Sequence, residues 1–421
     1  MSRNTEYWMI GILVAIQFTH IVDFVVLMPL GPKLFREFNI NTTQFGLLVS
    51  AYTFSAAVSG LLASLFLDKL DRKKALLLLF TGFAISTLMC ALSGDYWPLL
   101  TARIMAGAFG GILTALSLSI IGDYVPIQRR GQAMGAVMSA FSIASVIGVP
   151  TGLWLAEKFD WHAPFFLLSI TSVPLMIIAA IKLPNMNLHL QEVPTPAWPR
   201  IVTILKMKGP QHAFLLMSVM MIAGFSIIPF ISPFLVSNAE MNESDLSWLY
   251  LTGGIFTFGA SIIAGKLSDK FGPMQVFRIA AVISIIPILI LTSFKVVPLY
   301  VILIVTTLFM IFLSARLVPV ISMVTGTVPP TQRGTFMSLL SSIQQMASGL
   351  AAYIAGLIIT ETPSGKILHY EYVGYMASAA TILAVYLGYK LRPFTQKNES
   401  GASPFLNMHN AEEVESTTTL S

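Results

Sequence analysis

Charged residues are scarce in this chain of 421 residues: they make up 11% of it, against about 25% in an ordinary soluble domain. Hydrophobic residues make up 55%, and the mean hydropathy is +0.76. So few charges cannot cover a water-facing surface of this size, which excludes a soluble enzyme, a disordered chain and a secreted disulfide scaffold. The composition therefore predicts an integral membrane protein.

Cysteine is almost absent. The single Cys90 lies inside an apolar run, which excludes an internal disulfide and a thiolate metal cluster. No Walker phosphate loop, metal-ligand cluster or nucleophile triad is visible in the sequence, so we expect no ATP engine, no metal and no cofactor. The net charge of +5 does not indicate a nucleic-acid partner, because the basic residues stand at the ends of apolar runs, as membrane topology requires.

Twelve apolar runs extend along the chain, each long enough to cross about 30 Å of hydrocarbon as a helix. They are too long for the alternating strands of about 10 residues that build an outer-membrane barrel. The predicted fold class is an all-α membrane protein with twelve transmembrane helices. The runs lie near 8–30, 43–67, 75–94, 97–122, 131–156, 163–183, 213–236, 246–267, 274–293, 297–326, 335–360 and 372–391.

The longest connection divides these runs into six plus six. It is the proline-rich stretch 184–211, which we predict to be a cytoplasmic linker. The predicted units are therefore an N-terminal bundle at 1–183 and a C-terminal bundle at 212–392. The remaining segment, 393–421, is rich in Ser, Thr, Asn and Glu and is predicted to be a disordered cytoplasmic tail.

Basic residues are distributed unequally between alternate connections. The set that includes both termini and the central linker holds 18 Lys and Arg residues, and the other set holds 5. The positive-inside rule then places both termini in the cytoplasm of a cell whose inner, or plasma, membrane the chain crosses many times.

The two halves carry related motifs. Segments 64–73 and 265–272 each contain an Asp-Lys pair at an offset of 201 residues, and segments 125–131 and 328–334 share Val-Pro and Arg-Gly at an offset of 203. Two separate motifs with nearly one offset indicate an internal duplication of a six-helix unit.

At this point the chain resembles a major facilitator superfamily transporter, whose two six-helix bundles are pseudo-symmetric. The family's loop motif after the second helix is Gly-x-x-x-Asp-Arg/Lys-x-Gly-Arg-Arg/Lys, and here Ser64 and Asp71 replace its two glycines. The copy after the eighth helix loses the basic pair to Pro273 and Met274. The resemblance implies a conformational latch between the halves, formed by Asp68, Lys69, Arg72, Lys73, Asp269 and Lys270.

Two further motifs refine the resemblance. Arg103-x-x-x-Gly107 in the fourth run is similar to the family's intramembrane arginine motif. Gly148-x-Pro150-x-Gly152 in the fifth run resembles the motif of proton-coupled exporters, with one residue inserted between Gly and Pro. Together with Asp23-Phe-x-x-x-x-Pro-Leu-x-Pro in the first run, these features look most like the bacterial drug and sugar efflux branch, the arabinose-efflux-permease type.

Few ionisable residues lie deep inside the runs, and each of them is a functional hypothesis because charge is costly in a membrane. Of the twenty acids only Asp23 is well inside a run, with His20 three residues earlier. Arg103 and Arg316 are the basic residues at comparable depth. We predict that Asp23, Arg103 and His20 couple proton movement to transport, because a nearby arginine favours the ionised carboxylate and burial favours the neutral form. A static ion pair is the alternative.

The resemblance implies that runs 1, 4, 7 and 10 line a central substrate cavity. The predicted lining comprises Asp23, Arg103, Arg316, Phe225, Phe230, Phe234, Gln344 and Gln345. For the aromatic residues, ordinary packing is the alternative, and for the glutamines it is interhelical hydrogen bonding.

The leading hypothesis is a secondary active transporter of a small drug-, sugar- or metabolite-like molecule that exports its substrate by proton antiport and alternating access. The expected partners are the substrate, protons and the lipid bilayer, and the expected state is a monomer. The alternatives are an importer, symporter or facilitator on the same fold, a membrane enzyme, and a membrane scaffold or sensor without transport. The substrate itself is not predicted, because fold does not fix function.

Overall fold

The computed structural model describes residues 3–66, 70–187, 197–329 and 332–391. The N-terminal half is built from long helices joined by short turns. These are α1 (Arg3–Val26), α2 (Gly31–Phe38), α3 (Thr42–Phe66), α4 (Arg72–Ala91), α5 (Tyr96–Tyr124), α6 (Ile127–Ile143), a π-helical turn (Ala144–Gly148), α7 (Val149–Lys158) and α8 (Ala163–Lys182).

The C-terminal half repeats this pattern after a short helix that the sequence analysis did not predict, α9 (Ala197–Lys206). It contains α10 (Lys208–Phe225), a 3-10 turn (Ile228–Phe230), α11 (Ile231–Asn238), a second 3-10 turn (Glu243–Asp245), α12 (Leu246–Phe271), α13 (Pro273–Thr292), α14 (Leu299–Thr325), α15 (Arg333–Ile358) and α16 (Tyr370–Lys390). Two short antiparallel strands, β1 (Thr360–Glu361) and β2 (Ile367–Leu368), connect α15 to α16.

Eleven helical spans in the described residues are long and apolar enough to cross a membrane. The twelfth predicted span is α15, which has 26 residues and carries a stripe of serines and glutamines that lowers its hydropathy. Polar atoms of this kind are tolerated where a helix faces other helices, and α15 packs along the length of α3. The predicted all-α membrane fold with twelve transmembrane helices in two bundles is confirmed.

Prolines divide two of the spans. The π-helical turn precedes Pro150, and Val149 donates its backbone N–H to Ala144 O across the wider turn. The span that starts at Lys208 is broken at Ile228–Phe230, where Pro229 lacks an N–H to continue the α-helix. The run expected at 8–30 is shifted as a helix, because α1 begins at Arg3 and ends at Val26, after which a turn leads into α2.

The two halves meet closely at one end, which we call the closed end; the other, where α1 begins and α16 ends, is the terminal side. At the closed end a Cβ on Gly46 would lie 2.8 Å from Ala352 O, so α3 and α15 are in backbone contact. Thr42 Oγ1 donates to Ile359 O at 2.7 Å across the same seam. Arg36 and Glu243 form an ion pair of 2.5 Å between the halves.

The hydrophobic core follows this arrangement. One buried cluster contains residues of both halves and fills the closed end. Two further clusters each belong to one half, and both extend toward the terminal side. The buried core that the halves share therefore lies at the closed end, and the cores nearer the terminal side belong to one half each.

Candidate functional site

A buried ion pair lies inside the N-terminal half. Arg103 Nη1 of α5 is 2.8 Å from Asp23 Oδ2 of α1, and both side chains are 0% exposed. The same Nη1 donates to the Asp23 carbonyl oxygen at 3.2 Å, and Thr87 of α4 donates to Asp23 Oδ1 at 3.1 Å. Three helices thus hold one carboxylate, and the contact expected between Asp23 and Arg103 is present.

The pair lies nearer to one end of its helices than to the other. Arg103 is seven residues after the start of α5 at the closed end, a distance of about 10 Å along the helix. Asp23 is three residues before the end of α1 at the same end. The ion pair therefore lies in the half of the span next to the closed end.

Tyr52 of α3 completes the surroundings of Arg103, although the sequence analysis did not identify it. The guanidinium lies 4.6 Å from the centre of the Tyr52 ring, a cation–π contact. Gly107, the second residue of the arginine motif, faces the Tyr52 carbonyl and leaves room for α3 to approach α5. Arg103 Nε and Nη2 have no hydrogen-bond partner in the described residues.

His20 belongs to a neighbouring polar group. Its Nε2 is 3.1 Å from Thr114 Oγ1, and its Nδ1 is 3.5 Å from Tyr52 Oη. The hydrogen-bond partners of Asp23 within the described chain are instead Arg103 and Thr87. His20 and the ion pair are therefore connected through Tyr52.

A stack of aromatic rings extends from this site into the other half. The Tyr52 and Phe24 ring centres are 4.9 Å apart, and those of Phe24 and Phe225 are 6.1 Å apart, with the planes of each pair within 30°. Phe225 ends α10 and was predicted to line the cavity, whereas Phe24 was named only as part of the motif in the first run. The stack makes a physical connection between the ion pair and the C-terminal half.

The other predicted cavity residues lie elsewhere. Phe230 packs edge-on against Phe45 at 5.7 Å, and Phe234 lies 4.7 Å from the Tyr370 ring, both at the closed end. Gln344 and Gln345 are half-buried on α15. Their role in substrate binding stays a prediction.

Arg316 is the deep charge of the C-terminal half. It is 1% exposed, and its Nη1 donates to Thr381 Oγ1 of α16 at 3.0 Å and to Ser284 Oγ of α13 at 3.4 Å. Nε and Nη2 have no partner among the described atoms, and a Cβ on Gly224 would lie 4.0 Å from Nη2. Unlike Arg103, this guanidinium has no carboxylate partner in the described part of the chain.

The predicted latch is described only in part, because Asp68 and Lys69 lie outside the described residues. Arg72 Nε is 3.1 Å from Asp123 Oδ2, and Lys73 Nζ donates to Leu183 O at 2.7 Å. Asp269 and Lys270 are exposed at the end of α12, with Lys270 Nζ 5.1 Å from the Phe271 ring centre.

Asp71 and Gly272 occupy the same place in the two copies of this motif. The Asp71 carboxylate accepts from Lys74 N at 2.9 Å and caps α4, whereas Gly272 has φ of 86°, a conformation that favours glycine. Asp71 is therefore a helix cap in place of the family's glycine. A second ion pair on this side, Arg129 with Glu6 at 2.8 Å, was also absent from the sequence analysis.

The motif at Gly148, Pro150 and Gly152 packs on α1 beside the ion pair. Gly148 faces the Val22 side chain, and a Cβ on Gly152 would lie 2.6 Å from Val26 Cγ2. Val22 is one residue before Asp23 and Val26 is three residues after it. The glycines of the motif therefore let the π-helical turn and α7 pack closely on the segment that carries the carboxylate.

Comparison with known proteins gives the same architecture. The sequence model of the Major Facilitator Superfamily matches residues 13–237 and 213–408. The chain is 25% identical over 360 residues to the Bacillus subtilis (strain 168) uncharacterized MFS-type transporter YceJ, covering 84% of this chain and 90% of that protein. It is 24% identical over 352 residues to a Helicobacter pylori (strain J99) protein named probable sugar efflux transporter, covering 83% and 86%.

Solved structures with the same fold have lower identity. The crystal structure of a D-xylose-proton symporter matches with a TM-score of 0.76 and 16% identity over 93% of this chain and 99% of that one. A bacterial homologue of the human lysosomal transporter Spinster, in an inward-facing and occupied conformation, matches with a TM-score of 0.74 and 17% identity over 96% and 100%. The chain therefore belongs to the Major Facilitator Superfamily and is a membrane transporter, not an enzyme.

Proposed function

We propose that this protein exports a small organic molecule, drug-, sugar- or metabolite-like, in exchange for protons and by alternating access. The observation that carries the proposal is the fully buried ion pair of Asp23 and Arg103. No cofactor beyond the coupling proton is required. A monomer suffices, because one chain supplies both halves of the pathway.

The proton site is the Asp23 carboxylate. An antiporter needs a group that is charged in one state and neutral in another. Protonation of Asp23 would remove the charge that holds Arg103 Nη1, and the guanidinium would keep only its contacts with Tyr52 and the Asp23 carbonyl. Because Tyr52 stacks on Phe24 and Phe24 on Phe225, that change would reach the contact between the halves.

Substrate and proton then oppose each other. Binding of the substrate must weaken binding of the proton, and binding of the proton must weaken binding of the substrate, by the same coupling free energy. A sugar-like substrate suits a site of this composition, because Arg103, Tyr52, Thr87 and Thr114 can hydrogen-bond hydroxyl groups once the halves move apart. The name of the Helicobacter relatives supports this substrate class and the outward direction.

The proposed location is the inner membrane of a bacterial cell, with both termini in the cytoplasm. The closed end would then face outward, and the seam of Thr42, Arg36 and Glu243 would seal the pathway on that side. Alternating access would open this seam and bring the two bundles together at the terminal side.

The test is transport by purified protein in liposomes with and without a pH gradient, screened first across labelled sugars and drug-like cations. Asp23→Asn keeps the size of the side chain and removes its change of charge, so accumulation driven by the gradient should fall to the level of empty liposomes. Substrate binding should persist and lose its pH dependence.

Glu6→Gln is the matched control. Glu6 is a second buried acid of α1 that pairs with an arginine, Arg129, and it lies near the terminal side, away from Asp23. The Glu6→Gln variant should retain gradient-driven accumulation of the substrate. Gradient-driven accumulation that survives in Asp23→Asn would refute the proton role. Substrate movement by the wild type in the same direction as the protons, instead of the opposite direction, would favour the symporter alternative.

A further inference from the structure

A membrane-facing groove of about 300 Å³ lies between α13 and α16, the third and sixth spans of the C-terminal half. Val282 and Ile285 line it from α13, and Ile382 and Val385 line it from α16. Each pair is separated by three residues and therefore shares a helix face. At 1.5 Å per residue, the lining residues cover about 12 Å of α16, from Thr381 to Tyr389, and about 5 Å of α13.

Arg316 hydrogen-bonds to a residue at the base of the groove. Thr381, which also lines the groove, accepts from Arg316 Nη1 at 3.0 Å. The same nitrogen donates to Ser284, the residue before Ile285 on α13. The Arg316 guanidinium therefore hydrogen-bonds to both helices that form the groove and holds them together behind it.

Two cationic side chains lie at the end of the groove that is nearer the terminal side. Arg278 Nη1 donates to Tyr389 Oη at 2.8 Å, and Lys390 Nζ lies 4.6 Å from the centre of the Tyr386 ring. Both tyrosines line the groove. Neither cation pairs with a carboxylate in the described residues, so within this part of the chain both can contact an anionic ligand.

We propose that this groove binds an anionic phospholipid from the leaflet on the terminal side. One acyl chain lies along Val282, Ile285, Ile382 and Val385, and the phosphate lies between Arg278 and Lys390. Tyrosines at the level of the headgroups and basic residues next to them are the side chains that membrane interfaces favour. These two cations select a lipid with net negative charge over a zwitterionic one, whose ammonium group they repel.

This proposal does not depend on the direction or coupling of transport. Its test is native mass spectrometry of the full chain in detergent, titrated with dioleoylphosphatidylglycerol or dioleoylphosphatidylcholine. The wild type should bind the first phosphatidylglycerol at least about tenfold more tightly than the first phosphatidylcholine. The double variant Arg278→Gln, Lys390→Gln should lose about fivefold in phosphatidylglycerol affinity per charge removed, the factor expected for a basic side chain at an anionic surface, with phosphatidylcholine unchanged.

Two further variants separate the contributions of headgroup and chain. Val282→Trp fills the groove and should weaken both lipids equally. Lys182→Gln is the matched control, because Lys182 ends α8 on the same side and also lies over an aromatic ring, that of Trp8 at 5.4 Å, but is not part of the groove; it should bind phosphatidylglycerol as the wild type does. Equal affinity of the wild type for the two lipids, or unchanged phosphatidylglycerol affinity in the double variant, would overturn the proposal.

Discussion

At the scale of single residues, the two buried arginines differ in what balances their charge. Arg103 faces the Asp23 carboxylate at 2.8 Å, whereas Arg316 is bonded to the hydroxyl groups of Thr381 and Ser284. Removing one partner of a buried ion pair leaves an uncompensated charge, but removing a buried charge that has no opposite partner does not. The two arginines should therefore respond to substitution in different ways.

We predict that Arg103→Met lowers the stability of the folded state by about 3–5 kcal/mol, because Asp23 then stays buried without its cation. Arg316→Met should leave stability unchanged or raise it. Thermal unfolding in detergent measures both. Adding Asp23→Leu to Arg103→Met should restore most of the lost stability, and equal destabilisation by the two arginine substitutions would contradict this account of their charge balance.

At the scale of elements, the contact between α3 and α15 decides how closely the halves meet at the closed end. A Cβ on Gly46 would lie 2.8 Å from Ala352 O, and one on Gly356 would lie 2.7 Å from Thr42 O. Backbone atoms cannot yield as a flexible side chain can, so a larger residue must separate the two helices. Because these helices belong to different halves, the separation opens the seam.

Gly46→Leu should therefore shift the protein toward a conformation open at the closed end. Overpacking typically costs about 1–3 kcal/mol, which corresponds to an increase in the open fraction of at least about fivefold. The readout is maleimide labelling of Leu30→Cys, since Leu30 is 1% exposed at the closed end and the native Cys90 is buried. Gly11→Leu is the control, because nothing lies within 4 Å of its Cβ; equal labelling in the two variants would contradict the role of the seam.

At the scale of the whole molecule, the unequal distribution of basic residues predicts the orientation in the membrane. The side that includes both termini has 18 Lys and Arg residues and the other has 5, and the richer side stays in the cytoplasm. The end sealed by Thr42, Arg36 and Glu243 would then face away from the cytoplasm.

Reporter fusions test this orientation in a bacterial host. A fluorescent protein fused to the C-terminus should be fluorescent, and alkaline phosphatase at the same position should be inactive. The same phosphatase inserted at Gly365, in the exposed turn between β1 and β2, should be active. The reverse pattern would contradict the orientation and with it the outward direction of transport in the proposal.

The features that follow from the cost of polar groups in hydrocarbon could be predicted from the sequence alone. Apolar runs of spanning length, the duplicated motifs and the isolation of Asp23 and Arg103 within those runs are all local properties. They were sufficient to predict the membrane fold with its twelve spans and to indicate which two charges would meet. The polar stripe of α15 was visible too, although it lowers the hydropathy by which that span is recognised.

Which helix faces meet could not be predicted from the sequence, because it depends on how the helices pack in three dimensions. No sequence motif contains Tyr52, and the motif that contains Phe24 does not indicate its neighbours in space. The two rings nevertheless join Arg103 to Phe225, because α1, α3 and α5 converge there. The hydroxyl partners of Arg316 and the groove behind it depend on the side chains that α13 and α16 present. Such contacts join residues 28 to 201 positions apart. Sequence patterns do not predict them, because the rotation and depth of each helix are set by packing against its neighbours.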